Sequence, residues 1–88
     1  MIHDTADSTT DIDELLRAGI EAAEFGDHER ARDLLARVVA KDRRNVAAWL
    51  WLSEVVEVPD GKIHCLDRIL VVDPGNEEAS KRLARLRE

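Results

Sequence analysis

The sequence predicts an all-α domain, on three observations. Apolar residues recur at three- and four-residue steps in four separate stretches, which is the spacing of one helix face. A fifth stretch in the middle, Asn45 to Val58 (NVAAWLWLSEVVEV), is apolar on nearly all sides, as a helix packed by neighbours on both sides is. Between the stretches stand Gly26-Asp27, Asp42 to Arg44, Pro59-Asp60-Gly61 and Asp73-Pro74-Gly75, residues that turn the chain or cap a helix. Together they place five helices at approximately 11–25, 28–41, 46–57, 61–72 and 77–87.

Residues 1–10 are polar and without period, and read as a flexible N-terminal tail or a cloning remnant ahead of a helical domain over 11–88. Asp11 followed three residues later by Glu14 has the form of a capping box and marks the first helix start. Ile12, Leu15, Leu16, Gly19, Ile20, Ala22, Ala23 and Phe25 give that helix its apolar face, and Gly26 ends it. Asp27 caps the second helix, whose stripe is Ala31, Leu34, Leu35, Val38 and Val39, with Asp33 and Arg37 paired on the exposed side. In the central helix only Ser53 and Glu54 are polar between Val46 and Val56. Asn45 is a good cap for it and Pro59 cannot continue it. Its length, Ala47 and Ala48, and the lack of strict alternation argue against a strand. Asp60 caps the fourth helix from about Gly61, with Ile63, Cys65, Leu66, Ile69 and Leu70 inward. Asn76 caps the last, which turns Ala79, Leu83, Ala84 and Leu86 one way and the pairs Glu77 to Lys81 and Glu78 to Arg82 the other.

Eighty-eight residues allow one small core. The formal charge of −6 disfavours nucleic acid, whose phosphates reward a basic face. The charge is uneven: residues 1–29 hold nine Asp/Glu against Arg17 alone, and residues 30–44 hold six Lys/Arg against Asp33 and Asp42. That pattern reads as attraction between neighbouring helices with solvated outer faces, or as a docking patch. A single cysteine, Cys65, makes no internal disulfide, the opening MIHDTADSTTD lacks the layout of a signal peptide, and no apolar run is long enough to span a bilayer. The expectation is a cytoplasmic protein with no membrane contact.

The chain also repeats. Leu15 and Trp49, Ala18 and Leu52, and Gly19 and Ser53 all stand 34 positions apart, while the turns KDRRN (Lys41 to Asn45) and VDPGN (Val72 to Asn76) stand 31 apart. The three missing residues fall between the helices of the second unit. A helical pair of about 34 residues with a Gly-Asp turn and a closing Asp-Pro-x-Asn resembles the tetratricopeptide repeat. The matching residues are Gly19, Gly26, Asp27, Ala31, Leu35, Asp42 and Asn45 in the first unit. In the second they are Trp49, Leu52, Leu66, Ile69, Leu70 and Asp73-Pro74-Gly75-Asn76. Trp49 stands at the family's signature aromatic position, whereas Leu15, Arg43, Lys62 and Ser53 depart from its usual residues. The resemblance covers residues 12–76, with the last helix similar to the solvating helix that closes such arrays.

The resemblance implies a right-handed superhelix whose first helices line a concave groove. By repeat position the groove shows Leu16, Ile20 and Ala23, then Leu50, Glu54 and Glu57, then Lys81 and Arg85. The ligand it implies is a peptide or amphipathic helix, apolar side on Leu16, Ile20 and Leu50, acidic group near Lys81 and Arg85. The alternative is that these leucines pack on each other, on the last helix or on a second copy. Leu16 and Ile20 stand where the family's carboxylate-clamp members carry Lys and Asn, so that activity is not expected. Trp51 lies about 200° round the helix from Trp49 and must meet another element, the groove or a partner. Catalysis, cofactor and metal are not expected: His3, His28 and His64 have no ligand spacing, His64 and Cys65 point about 100° apart, and no Gly-rich phosphate loop occurs. The expected function is a non-catalytic protein-interaction module or scaffold; the competitors are a structural homo-oligomerisation domain and a regulatory sensor within a larger protein.

Overall fold

The structure, a computed structural model, describes the backbone of residues 4–88 and the side chains of residues 11–88. Among these residues there are five helices and no strand: α1 (Asp4–Glu24), α2 (His28–Lys41), α3 (Val46–Val55), α4 (Pro59–Val72) and α5 (Glu77–Leu86). The fold is all-α, as the periodicity predicts. It extends 53 × 28 × 17 Å.

Each helix packs on the next, and α1 also packs on α3. Side-chain pairs show that neighbours run antiparallel: Lys41 on α2 reaches Asp11 on α1, while Leu35 faces Gly19. Trp49 and Ser53 on α3 meet His64 and Lys62 on α4, and Arg87 reaches back to Asp67. Beyond these consecutive pairs, Arg82 of α5 reaches Glu54 of α3. Leu35, Val38, Val55, Leu66 and Ile69 are the fully buried side chains of the core.

Three of the expected caps are in place. Asp27, Asn45 and Asn76 accept hydrogen bonds through their side-chain oxygens from the amides of Arg30 (3.2 Å), Ala48 (3.0 Å) and Ala79 (2.9 Å), closing orphan donors at three helix starts. The two turns that the sequence aligns are near copies of each other. Asp42 (φ −139°, ψ 91°) and Asp73 (φ −138°, ψ 83°) end their helices in the same conformation. Asn45 and Asn76 then donate their amides to the carbonyls of Asp42 and Asp73.

Some boundaries differ from expectation. Helix α1 begins at Asp4, not at Asp11, so Asp11 caps nothing and instead faces Lys41 across 3.7 Å. No Gly or Pro lies between residues 4 and 11, so nothing in the sequence obliges the backbone to leave the helix there. Of the tail expected over residues 1–10, residues 1–3 lie outside the described residues, and for residues 4–10 only the backbone is described. Helix α3 stops at Val55, two residues early, and α4 starts at Pro59, two residues before Gly61. Proline pushes the residue before it out of the helical region, and Val58 is extended (φ −81°, ψ 128°). Pro59 then serves as a first-turn residue, where a missing amide hydrogen costs nothing. Asp60 lies inside that turn, complementing the helix dipole, and does not cap it.

Phe25, expected on the inner face of α1, is 87 % exposed. It follows the last helical residue, where the chain swings into the left-handed conformation of Gly26 (φ 85°) and turns the ring away from the core.

Candidate functional site

Helix α3 presents its two tryptophans to different sides. Trp49 is buried, donates its indole N–H to the carbonyl of Arg43 (2.8 Å), and meets the His64 ring edge-on at 5.9 Å. Trp51 is half-buried on the other side, beside Leu50. With Glu54 and Arg82 these two line a largely apolar depression of about 270 Å³ between α3 and α5.

An adjoining cavity of about 240 Å³ continues it, walled by Glu54, Arg82 and Arg85 above Leu66 and Leu86. Arg82 joins the two. Its guanidinium pairs with Glu54 of α3 and with Glu78 one turn back on α5, the latter through Nε at 2.7 Å. The hydrogen bond from Arg82, then its charge, holds the Glu78 carboxyl below the usual carboxylate range. The spacing within α5 predicts Arg82 with Glu78 on its outer side, and the structure corrects this. Arg82 flanks the buried line of Ala79, Leu83 and Leu86, about 40° from Leu86, and so faces α3.

Lys62 forms the floor of that cavity. Its ammonium donates to the carbonyls of Ser53 (2.8 Å) and Glu54 (3.3 Å), the end of α3 where unpaired carbonyls and the negative pole of the dipole collect. The residue that departs from the repeat pattern is thus a cap delivered from the next helix. The Ser53 hydroxyl turns inward and donates to the carbonyl of Leu50.

The remaining groove residues are placed as follows. Leu16 and Ile20 lie in a separate depression formed by α1 alone, with Asp13, Arg17, Glu21 and Glu24. Ala23 and Leu16 are partly buried against the core. Lys81 is exposed on α5, and Glu57 lies past the end of α3 in the link to α4. The structure therefore gathers Leu50, Trp51, Glu54 and Arg85 around Arg82, and leaves Leu16 and Ile20 apart from them.

A further depression, of about 340 Å³, lies on the other side of the molecule between α2 and α4. Ala36, Val39, Ala40 and Trp49 floor it, and Arg43, His64 and Arg68 rim it. Helical spacing hides this one from sequence, because its two rims are contributed by helices that are not consecutive.

The one cysteine, Cys65, is buried on α4 and its thiol is pushed up to about 11 by burial, partly opposed by the Lys62 charge. It stays protonated at neutral pH, a poor nucleophile. Among the described residues no cluster of three or more His, Cys, Asp or Glu side chains is placed to hold a metal ion, and no helix is long and apolar enough to cross a membrane. Compared with known proteins, the chain matches no family model and no curated protein.

Proposed function

We propose that this protein is a non-catalytic interaction module of tetratricopeptide-like architecture that binds a peptide or amphipathic helix along the face shared by α3 and α5. The observation that carries this reading is the half-buried pair Leu50 and Trp51 beside the Glu54–Arg82 bridge. An indole with one side packed and one side open is the kind of anchor that concentrates binding energy at interfaces. The stacked antiparallel pairs, the near-identical turns at Asp42 to Asn45 and Asp73 to Asn76, and the single buried thiol fit a small cytoplasmic repeat domain. In that architecture the α3–α5 face is concave, and its ligand lays apolar side chains on Leu50 and Trp51. An acidic group then meets Arg85, whose charge no carboxylate within 4.0 Å neutralises among the described residues.

Selection of a displayed random-peptide library tests this. Peptides recovered on the wild type should carry an aliphatic or aromatic residue near a carboxylate. Leu50→Asp should lose them while far-ultraviolet circular dichroism stays unchanged. Recovery of the same peptides on the Leu50→Asp protein, or of none on the wild type, would count against this surface.

A further inference from the structure

The trough between α2 and α4 is the most unexpected surface of the molecule. The chain carries nineteen acidic against thirteen basic side chains, yet no carboxylate lines this trough. Arg43 and Arg68 stand at its rim, and no ion pair ties either to a carboxylate among the described residues. The floor is small and apolar, from Ala36, Val39 and Ala40. One turn beyond, Val71 is 66 % exposed. It lies about 20° round the helix from His64 and on the same stripe as Arg68, so the apolar strip continues past the arginines.

The same chain carries the opposite surface on α1. Ile20 and Leu16 form an apolar strip with Asp13, Glu21 and Glu24 around it and only Arg17 of the other sign. These side chains sum to −2, and the trough, with His64 neutral, sums to +2. Glu21 also borders the neighbouring depression at the end of α1, where the exposed Phe25 stands. Phe25 itself stands about 140° round the helix from Ile20, off this strip.

We infer that the α1 face of one copy docks into the α2–α4 trough of a second copy. Carboxylates of α1 meet Arg43 and Arg68, and Leu16 and Ile20 cover Val39, the alanines and Val71. The occupant is a second copy because both halves of the match, in charge and in apolar character, are present on this one chain. A polyanion such as nucleic acid meets a molecule whose net charge, trough included, is −6. The two faces differ, so the contact is heterologous: every pair keeps one free trough and one free α1 face, and assembly runs head to tail. Net charge opposes the approach of like copies at long range, which makes the association weak and concentration-dependent. The α3–α5 face takes no part, so this inference stands or falls apart from the peptide-binding reading.

Sedimentation equilibrium of the whole chain, up to about 1 mM where weak contacts populate, gives the test. The wild type should rise above monomer mass with no plateau at the dimer. Arg43→Glu with Arg68→Glu removes the trough and keeps α1; Glu21→Lys with Glu24→Lys removes the α1 face and keeps the trough. Each pair lies on exposed or half-exposed positions, so circular dichroism should be unchanged, and each variant alone should associate about tenfold more weakly or not at all. Mixed, the two should associate again with the variants alternating head to tail, because the reversed trough of one and the reversed α1 face of the other also complement each other. All four changes on a single chain swap both signs and should restore self-association. A wild type that stays monomeric throughout, variants that associate as the wild type does, or a mixture that forms no complex would overturn the inference. So would a monomeric wild type whose trough binds a poly-glutamate peptide.

Discussion

Alanine in place of Gly19 is an informative single change in this molecule, because two effects of known size pull against each other. Gly19 lies within α1, where replacing glycine by alanine ordinarily stabilises a helix by about 1 kcal/mol. Here a Cβ would stand 2.8 Å from Leu35 Cγ and 2.9 Å from its Cδ2. Leu35 is fully buried between α1 and the core, and Cγ is the branch point of the side chain, so no free end can swing aside. Forcing a methyl into such a site costs about 1–3 kcal/mol. The expected net effect is a loss of about 1 kcal/mol, which lowers the melting temperature by about 4–8 °C in a domain of this size. Thermal unfolding by circular dichroism measures it, with Gly75→Ala as a control, since a Cβ at Gly75 meets nothing within 4 Å. A double-mutant cycle sharpens the result. Leu35→Ala alone should cost about 2–5 kcal/mol, and noticeably less beside Ala at position 19, because the added methyl fills part of the cavity. A Gly19→Ala protein that melts higher than the wild type would refute the close approach of α1 and α2.

Two further outcomes follow from the α3–α5 region. Lys62→Met keeps the aliphatic stem but removes the ammonium from the carbonyls of Ser53 and Glu54; it should destabilise by about 1 kcal/mol in chemical denaturation, and an unchanged midpoint would mean the cap contributes nothing. Glu78 gives a pH dependence with a definite sign. Its carboxyl is held below the ordinary 4.5 by the Arg82 hydrogen bond and charge, so the folded state binds fewer protons than the unfolded one. The bridge's contribution is therefore present above about pH 4.5 and lost as pH falls through the lowered folded value. The gap in melting temperature between the wild type and Glu78→Gln should narrow as the pH is lowered from 7 to below 4.5, and a constant gap would show that Arg82 does not favour the charged form.

The helices were legible wherever one residue type settled the local conformation. Asn45, Asn76 and Asp27 each take the capping geometry that their side chains favour, and the buried stripe of α2 is the one its spacing implies. The early end of α3 was not legible, because it depends on a side chain seven positions beyond Val55: Lys62 supplies the partners that let the carbonyls of Ser53 and Glu54 leave the helical pattern. The start of α1 failed for the opposite reason. Residues 4–10 carry no apolar period, and periodicity reports only a helix with an apolar side, so this part of α1 leaves no mark in the sequence. Phe25 shows the limit of the same signal. Its spacing from Ala22 is helical, yet the turn at Gly26 decides where the ring goes.

The surfaces were harder to read because they are built from residues far apart in sequence. Glu54 and Arg82 pair across 28 positions, a separation at which no local rule relates two charges. Spacing within α5 alone assigns Arg82 to Glu78, and the structure keeps that pair while adding the second. The arginine therefore ties the last helix to the central one, and it does so beside the only indole that is not consumed by the core. Its ties to Glu54 and Glu78 position the guanidinium at the edge of the Leu50–Trp51 depression. A ligand meeting a preorganised wall loses less on binding than one that must first order it. The Glu54 and Glu78 carboxylates also occupy Arg82 and two carbonyls occupy Lys62, leaving Arg85 as the cation of that cavity that neither a carboxylate nor a carbonyl holds among the described residues.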